Sequence, residues 1–221
     1  MAWPSCWASR LPPVKPYTIT TGFSGTPNIL PALSRAGYSE VAYRMISNTE
    51  YASWLYPVSK GATSIWERWN SLDTAFSEPN QNSMNSFNHF ALGAVGQWMF
   101  EYQLGITAPY EEGEAGYRHF ILQPTCGGKY TALEGSYDSN YGRIESAWTA
   151  SSDIMTGYRC SVPANTTATL YLPVVGTPVA GEIDGAVFKG YRNHLGHSCA
   201  CYELVSGTWN FSISDTTIEV K

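Results

Sequence analysis

The sequence predicts an α+β, multidomain chain in which a run of helices is followed by an antiparallel β-sandwich. Three observations carry that expectation. Apolar residues recur at helical spacing through much of residues 27–106. After Gly105 the pattern changes to short β-branched and aromatic segments separated by turn residues. The helices and strands also fall in successive runs, which marks two domains rather than one interleaved sheet. The expected division is residues 1–16 as a poorly specified N-terminus, 17–108 as helices and 109–221 as sandwich, with the junction between Thr107 and Gly116.

Taken in order, Pro27 suits the first turn of a helix, with Thr26 as its cap. Ile29, Leu30 and Leu33 form its apolar stripe, and Gly37 ends it. Ser39 opens a second helix with Val41, Ala42, Met45 and Ile46 on one face. WLYPVSKGATSIWERWNSLD holds Pro57 and Gly61 and reads as extended or loop. NSFNHFALGAVGQWMFEYQLG then reads as helix, its broad apolar face running from Phe87 and Phe90 through Trp98 to Tyr102. Gly93 and Gly96 within it imply close packing against a neighbour. The strands follow: HFILQP, YTALEGSYDS, GRIESAWTA, DIMTGYRCSVP, TATLYLPV and CYELVSGTWNFSI. In GRIESAWTA, Ile144, Ser146 and Trp148 alternate with Glu145 and Ala147.

Composition narrows the function classes. The 221 residues are 43% hydrophobic and only 14% charged, a balance that favours a folded core over disorder. A net charge of −5, with no basic footprint, argues against a nucleic-acid partner. No apolar run is long enough for a transmembrane helix, and MAWPSCWASRLPPVKP lacks the charged-then-apolar order of a signal peptide. Abundant aromatic rings with few charges suit neutral, hydroxyl-rich ligands such as sugars, although most of those rings belong in the core. Five cysteines are too few and too odd in number for a disulfide scaffold. HLGHSCAC brings His194 and His197 near Cys199 and Cys201, but without a usual zinc spacing, so buried thiols and surface histidines are the simpler account.

The chemistry concentrates in GATSIWERWNSLD. Glu67 lies between Trp66 and Trp69, where lost hydration raises a carboxyl pKa and the neighbouring Arg68 lowers it. Such a group serves as a general acid or base, with Asp73 and Glu78 as conceivable companions, or it forms an ion pair with Arg68 between two packing rings. His89 follows Asn85, Ser86 and Asn88, a cluster suited to sugar hydroxyls or to capping a helix. The residues alone leave both pairs of readings open. Neither a G-x-S-x-G elbow nor a phosphate loop is present.

Five blocks in order, ITTGFSGTPNILPAL, WLYPVSKGATSIWERW, NSFNHFALGAVGQWM, GYRHFILQP and YDSNYGRIESAW, resemble the C-terminal part of bacterial α-L-rhamnosidases of glycoside hydrolase family 78. The resemblance covers about residues 17–173. It implies that the helices are the last of an (α/α) six-hairpin barrel, so that the chain holds a partial barrel and the β-sandwich after it. It also implies removal of terminal α-L-rhamnose from rhamnose-containing glycosides with inversion. By resemblance Glu67 is the general base, while His89 and Trp66 belong to the sugar pocket. Asp73 and Glu78 match no catalytic position.

In the family the general acid lies in an aspartate-rich block upstream of the ITTGF-like segment, and this chain does not contain that block. The expectation is therefore an N-terminally truncated piece that lacks the first part of the barrel and turns over little by itself. No cofactor is implied; calcium accompanies some members, but no ligand set locates one here. The rivals are a noncatalytic carbohydrate-binding or interaction module and a mis-started reading frame without independent function.

Overall fold

The computed structural model describes residues 17–72, 85–109 and 116–221. The helical part opens with α1 (Thr26–Arg35), which has Pro27 in its first turn. Gly25 rather than Thr26 is the N-cap. Thr26 is instead the first helical residue, and its hydroxyl donates to the Gly22 carbonyl at 3.0 Å. At the other end Gly37 takes φ +86° and the Tyr38 N–H reaches back to the Leu33 carbonyl at 2.8 Å, so glycine closes the helix in a Schellman arrangement. α2 (Ser39–Ile46) buries Ala42, Tyr43, Met45 and Ile46. Ser34 joins the helices: its hydroxyl accepts from Ser39 at 3.1 Å and from the Trp98 indole at 2.9 Å.

Two expectations change in the next segment. Leu55–Ser59, inside the segment expected to be extended or loop, is a short helix, α3. The predicted helix from Asn85 begins only at Ala91, because the Glu67, Ser86 and His89 amides bond across to a facing segment instead of along a helix. The helix that follows is composite: a 3₁₀ turn at Ala91–Ala94, an α turn at Val95–Trp98 and a π turn at Met99–Gln103. Its expected apolar face is split. Trp98 and Tyr102 are buried, whereas Phe87, Phe90 and Met99 are exposed. Gly96 faces open space and a methyl at Gly93 would make an ordinary contact with Ile65, so close packing explains neither glycine.

The chain then enters a mostly β domain with nine strands among the described residues: β1 (Ile106–Thr107), β2 (His119–Leu122), β3 (Ala132–Ser139), β4 (Gly142–Ser151), β5 (Ile154–Pro173), β6 (Val179–Ala180), β7 (Ala186–His194), β8 (His197–Ile213) and β9 (Thr217–Val220). DIMTGYRCSVP and TATLYLPV, read as two strands, are one: β5 runs 20 residues and pairs antiparallel with the 17-residue β8. Between Val162 and Thr167 the β5 register slips against β8, and there the pair bulges. Hydrogen bonds link all nine strands into a single sheet. Most pairings are antiparallel as expected, but β2–β5 and β6–β9 are parallel.

Alternation places the core. On β4, Ile144, Ser146, Trp148 and Ala150 are buried; on β5, Tyr158, Cys160, Val162, Ala168, Leu170 and Leu172 are. They pack with Phe120, Leu122, Tyr202 and Phe211 in one apolar cluster. A smaller cluster of Ile19, Leu30, Tyr43, Met45, Trp54, Trp98 and Tyr102 holds the helices. The two meet where residues 101–102 face residues 123–125. Gln123 donates to the Glu101 carbonyl at 3.0 Å, the Thr125 N–H and hydroxyl both donate to the Tyr102 carbonyl at 2.9 Å, and the Tyr43 hydroxyl donates to the Thr125 carbonyl. The helices are thereby fixed to the sheet, with the Trp66–Glu67 loop on the helical part.

Candidate active site

Local sequence dictates the entry to the GATSIWERW loop. Gly61 takes φ +88° after α3, and the Ala62 N–H caps back to the Pro57 carbonyl at 3.0 Å. The chain then runs beside residues 85–90. The Glu67 N–H donates to the Ser86 carbonyl at 2.8 Å, and the His89 N–H donates to the Ile65 carbonyl at the same distance. The Ser64 hydroxyl adds a bond to the Phe87 carbonyl. Segments about 20 residues apart in sequence are thus zipped together, and Trp66, Glu67 and His89 come to lie on adjoining segments.

Glu67 is half-buried, and its Oε2 accepts the Ser86 N–H at 2.7 Å. The two-way bond between Glu67 and Ser86 holds the carboxylate through backbone rather than through another flexible side chain. Among the described residues no ion pair joins Glu67 to Arg68, so the salt-bridge alternative has no counterpart in the fold. The two tryptophans differ in what they touch. Trp69 meets Trp54 edge-on at 5.5 Å, and Trp54 is anchored by its indole N–H to the Leu92 carbonyl at 2.8 Å. Trp66 is only 6% exposed and meets Phe87 edge-on at 5.4 Å. Both rings are chiefly packing, and Trp66 presents little open face.

His89 stacks on Phe23 and on Phe90, each with ring centroids 5.1 Å away. Its Nδ1 accepts the Ala91 N–H at 3.3 Å, which assigns the ring proton to Nε2 as a donor. Phe90, 86% exposed, and the half-exposed Phe23 are the open aromatic faces of this region. Sequence reasoning passed over Phe23 and assigned Phe90 to a buried helix face. The available signal was a large apolar residue in the turn-forming stretch TGFSG, where burial is not the default. Asn85 donates through Nδ2 to the Ser71 carbonyl at 3.0 Å, while its buried Oδ1 has no partner among the described residues. Asp73, Glu78 and Cys6 lie outside the described residues.

The His–Cys stretch is structural in its contacts. His194 stacks on Tyr171 at 3.8 Å and bonds Gln123 at 2.8 Å, and Cys199 and Cys201 are buried free thiols on β8. Among the described residues no cluster of three or more His, Cys, Asp or Glu is placed to hold a metal, and no helix is long and apolar enough to cross a membrane.

Comparison with known proteins then places the chain. Residues 14–103 match the bacterial alpha-L-rhamnosidase 6 hairpin glycosidase domain, and residues 105–185 match the bacterial alpha-L-rhamnosidase C-terminal domain. An alpha-L-rhamnosidase of Streptomyces avermitilis is 37% identical over 203 residues, which are 90% of this chain and 18% of that protein. One from Formosa agariphila is 37% identical over 79% of this chain and 18% of its own length. Among solved structures, the Streptomyces avermitilis enzyme complexed with L-rhamnose superposes with a TM-score of 0.71 at 36% identity over 90% of this chain and 18% of that one. The Aspergillus terreus enzyme gives 0.73 at 29% identity over 91% of this chain and 20% of that one. The chain thus spans about a fifth of the length of the relatives it matches. Two consecutive domain matches, in the order helices then sheet, agree with the observed architecture, and the chain belongs to the bacterial α-L-rhamnosidase family, corresponding to the C-terminal portion of its members.

Proposed function

We propose that this chain supplies the water-activating half of an inverting α-L-rhamnosidase site, with Glu67 as general base. Inversion needs two carboxyl groups, about 6.5–9.5 Å apart, on opposite faces of the sugar. One protonates the departing oxygen while the other takes a proton from the water that attacks the anomeric carbon. The observation that carries the reading is the 2.7 Å bond from the Ser86 N–H to Glu67 Oε2. It orients the carboxylate and leaves Oε1 to accept from water. His89, with its donor at Nε2, contributes to the sugar side of the site, and Trp66, packed edge-on against Phe87, braces the loop that carries Glu67. The protonating acid comes from another part of the protein.

The test is a chimera in which this chain replaces the matching C-terminal fifth of the Streptomyces avermitilis enzyme, assayed for rhamnose release from an aryl α-L-rhamnoside. The chimera should turn over, and Glu67→Gln should reduce its rate about 10²–10⁴-fold. Undiminished turnover in that variant removes Glu67 from the mechanism. The purified chain alone should release rhamnose at background rate; robust turnover there overturns the claim that the acid lies elsewhere. The exposed Phe23–His89–Phe90 stack also favours a second reading, a saccharide-binding module without chemistry. An inactive chimera that still binds L-rhamnose, and loses it on His89→Ala, selects that reading.

A further inference from the structure

The outer face of the β domain carries a hollow of about 530 Å³ that is separate from the Glu67 loop. Strand register explains it. Across four strands Glu134, Ala147, Arg159 and Asn210 stand side by side, and the next outward row is Ala132, Thr149, Gly157 and Ser212. Between them lies the core-facing row of Leu133, Trp148, Tyr158 and Phe211. Ala147 in one outward row and Gly157 in the other make the depression. Gly157 keeps its floor low, since a methyl there would come within 2.8 Å of Thr149 Oγ1. A row of four strands spans about 14 Å, and the volume lies in the range of about 300–1,000 Å³ usual for small-ligand sites.

Glu134 and Arg159 also border a second, adjoining hollow of 350 Å³, lined further by Ser136, Arg143 and Glu145. The charges there are only loosely matched. Arg159 lies 3.7 Å from Glu145 and Arg143 lies 3.9 Å from Asp138, and all four side chains are substantially exposed. Such pairs contribute little and yield easily to a ligand. The mixture of signs selects the ligand's chemistry. Glu134 and Glu145 oppose an anion, and Arg159 and Arg143 oppose a cation. A neutral ligand that both donates and accepts hydrogen bonds at adjacent positions suits acid, guanidinium and amide together, while the Ala132 and Ala147 methyls suit its C–H face.

From this geometry we infer that the outer β3–β4–β5–β8 face is a second saccharide-binding surface, for a neutral sugar with vicinal hydroxyls. Glu134 accepts from the hydroxyls, and Arg159 and Asn210 donate to them. The surface is independent of the Glu67 reading and needs no catalysis.

The test is backbone NMR of the full chain titrated with L-rhamnose and, separately, with an aryl α-L-rhamnoside. Saturable shifts are expected at the amides of residues 132–134, 147–149, 157–159 and 210–212. Arg159→Ala should weaken binding at those amides by about tenfold or more. Ala147→Trp, which fills the hollow from an outward-facing position, should abolish the shifts there and leave any shifts at residues 64–67 and 86–89 unchanged. Absence of shifts on the β face with both sugars overturns the inference, as does binding there that survives both variants. Shifts on the β face with none at residues 64–67 and 86–89 leave this inference standing, and the Glu67 reading is decided separately by the chimera.

Discussion

Trp148 shows how much a single side chain settles in this molecule. It is buried on β4, at the centre of the alternation read from GRIESAWTA, and its indole N–H donates to the Gln103 carbonyl at 2.8 Å. Ser146, two residues earlier, donates to the Leu104 carbonyl at 2.6 Å. Inward-facing polar atoms of β4 therefore hold the end of the last helix, whose final carbonyls lack partners within the helix itself. Trp148→Phe keeps most of the apolar volume but leaves a buried carbonyl without its donor. It should destabilise the protein by about 1–3 kcal/mol, read as a lower midpoint in urea with an unchanged slope. Gly105 governs the same junction: it has φ +78°, and a methyl on it would sit 2.2 Å from the Pro124 nitrogen. Gly105→Ala should therefore cost more than about 1 kcal/mol in the same titration, and a neutral result contradicts the packing described.

At the scale of elements, the β7–β8 hairpin couples the two parts of the chain. His194 pairs with His197 across a two-residue turn of Leu195 and Gly196, both at positive φ, as a tight hairpin requires. The turn reaches the helical part: Gly196 lies against the Gly37 backbone, and Leu195 packs on the helical core. Burial lowers the pKa of His194, with the neighbouring His197 adding to the effect, and burial lowers that of His197 too. The unfolded chain thus takes up protons near the ordinary imidazole value of 6.5, while the folded chain takes them up only at lower pH. Between those values the unfolded state holds more protons, so stability is full above that window and falls as pH drops through it. Thermal melts from about pH 8 to about pH 5 should show that decline, and replacing both histidines with glutamine should flatten it. A slope that persists in the double variant assigns the effect to other groups.

For the whole molecule, the two cores differ in size and in how well they are closed. The sheet core draws on nearly every strand, with β5 and β8 running through its middle. The helical core is smaller, and Phe23, Phe87, Phe90 and Phe100 remain exposed beside it. Local opening should therefore begin in the helices. Hydrogen exchange is expected to be slowest at β5 and β8 and faster, as a group, at α1 and α2. Equal protection across both parts contradicts this and indicates one cooperative unit. The exposed rings belong to the part that matches the six-hairpin domain, in a chain spanning about a fifth of its relatives' length. Contact with the rest of that domain, in the chimera described above, should raise protection in α1 and α2 selectively.

Periodicity by itself determined the order of helices before strands, the glycine stop at Gly37 and the inward face of β4, because those features depend on neighbours in the chain. Only tertiary structure decided the rest. The helix expected from Asn85 starts late because its amides are taken by residues 65–67, a contact invisible to any local window. Two predicted strands became β5 because β8 supports the chain on both sides of the bulge. Glu67 passed from a choice between ion pair and base to a carboxylate held by Ser86, since its partner lies 19 residues away in sequence. Short-range pattern fixes which face of an element is apolar. Which backbone donors meet a given carboxylate depends on how distant segments are brought together, and that is decided by packing.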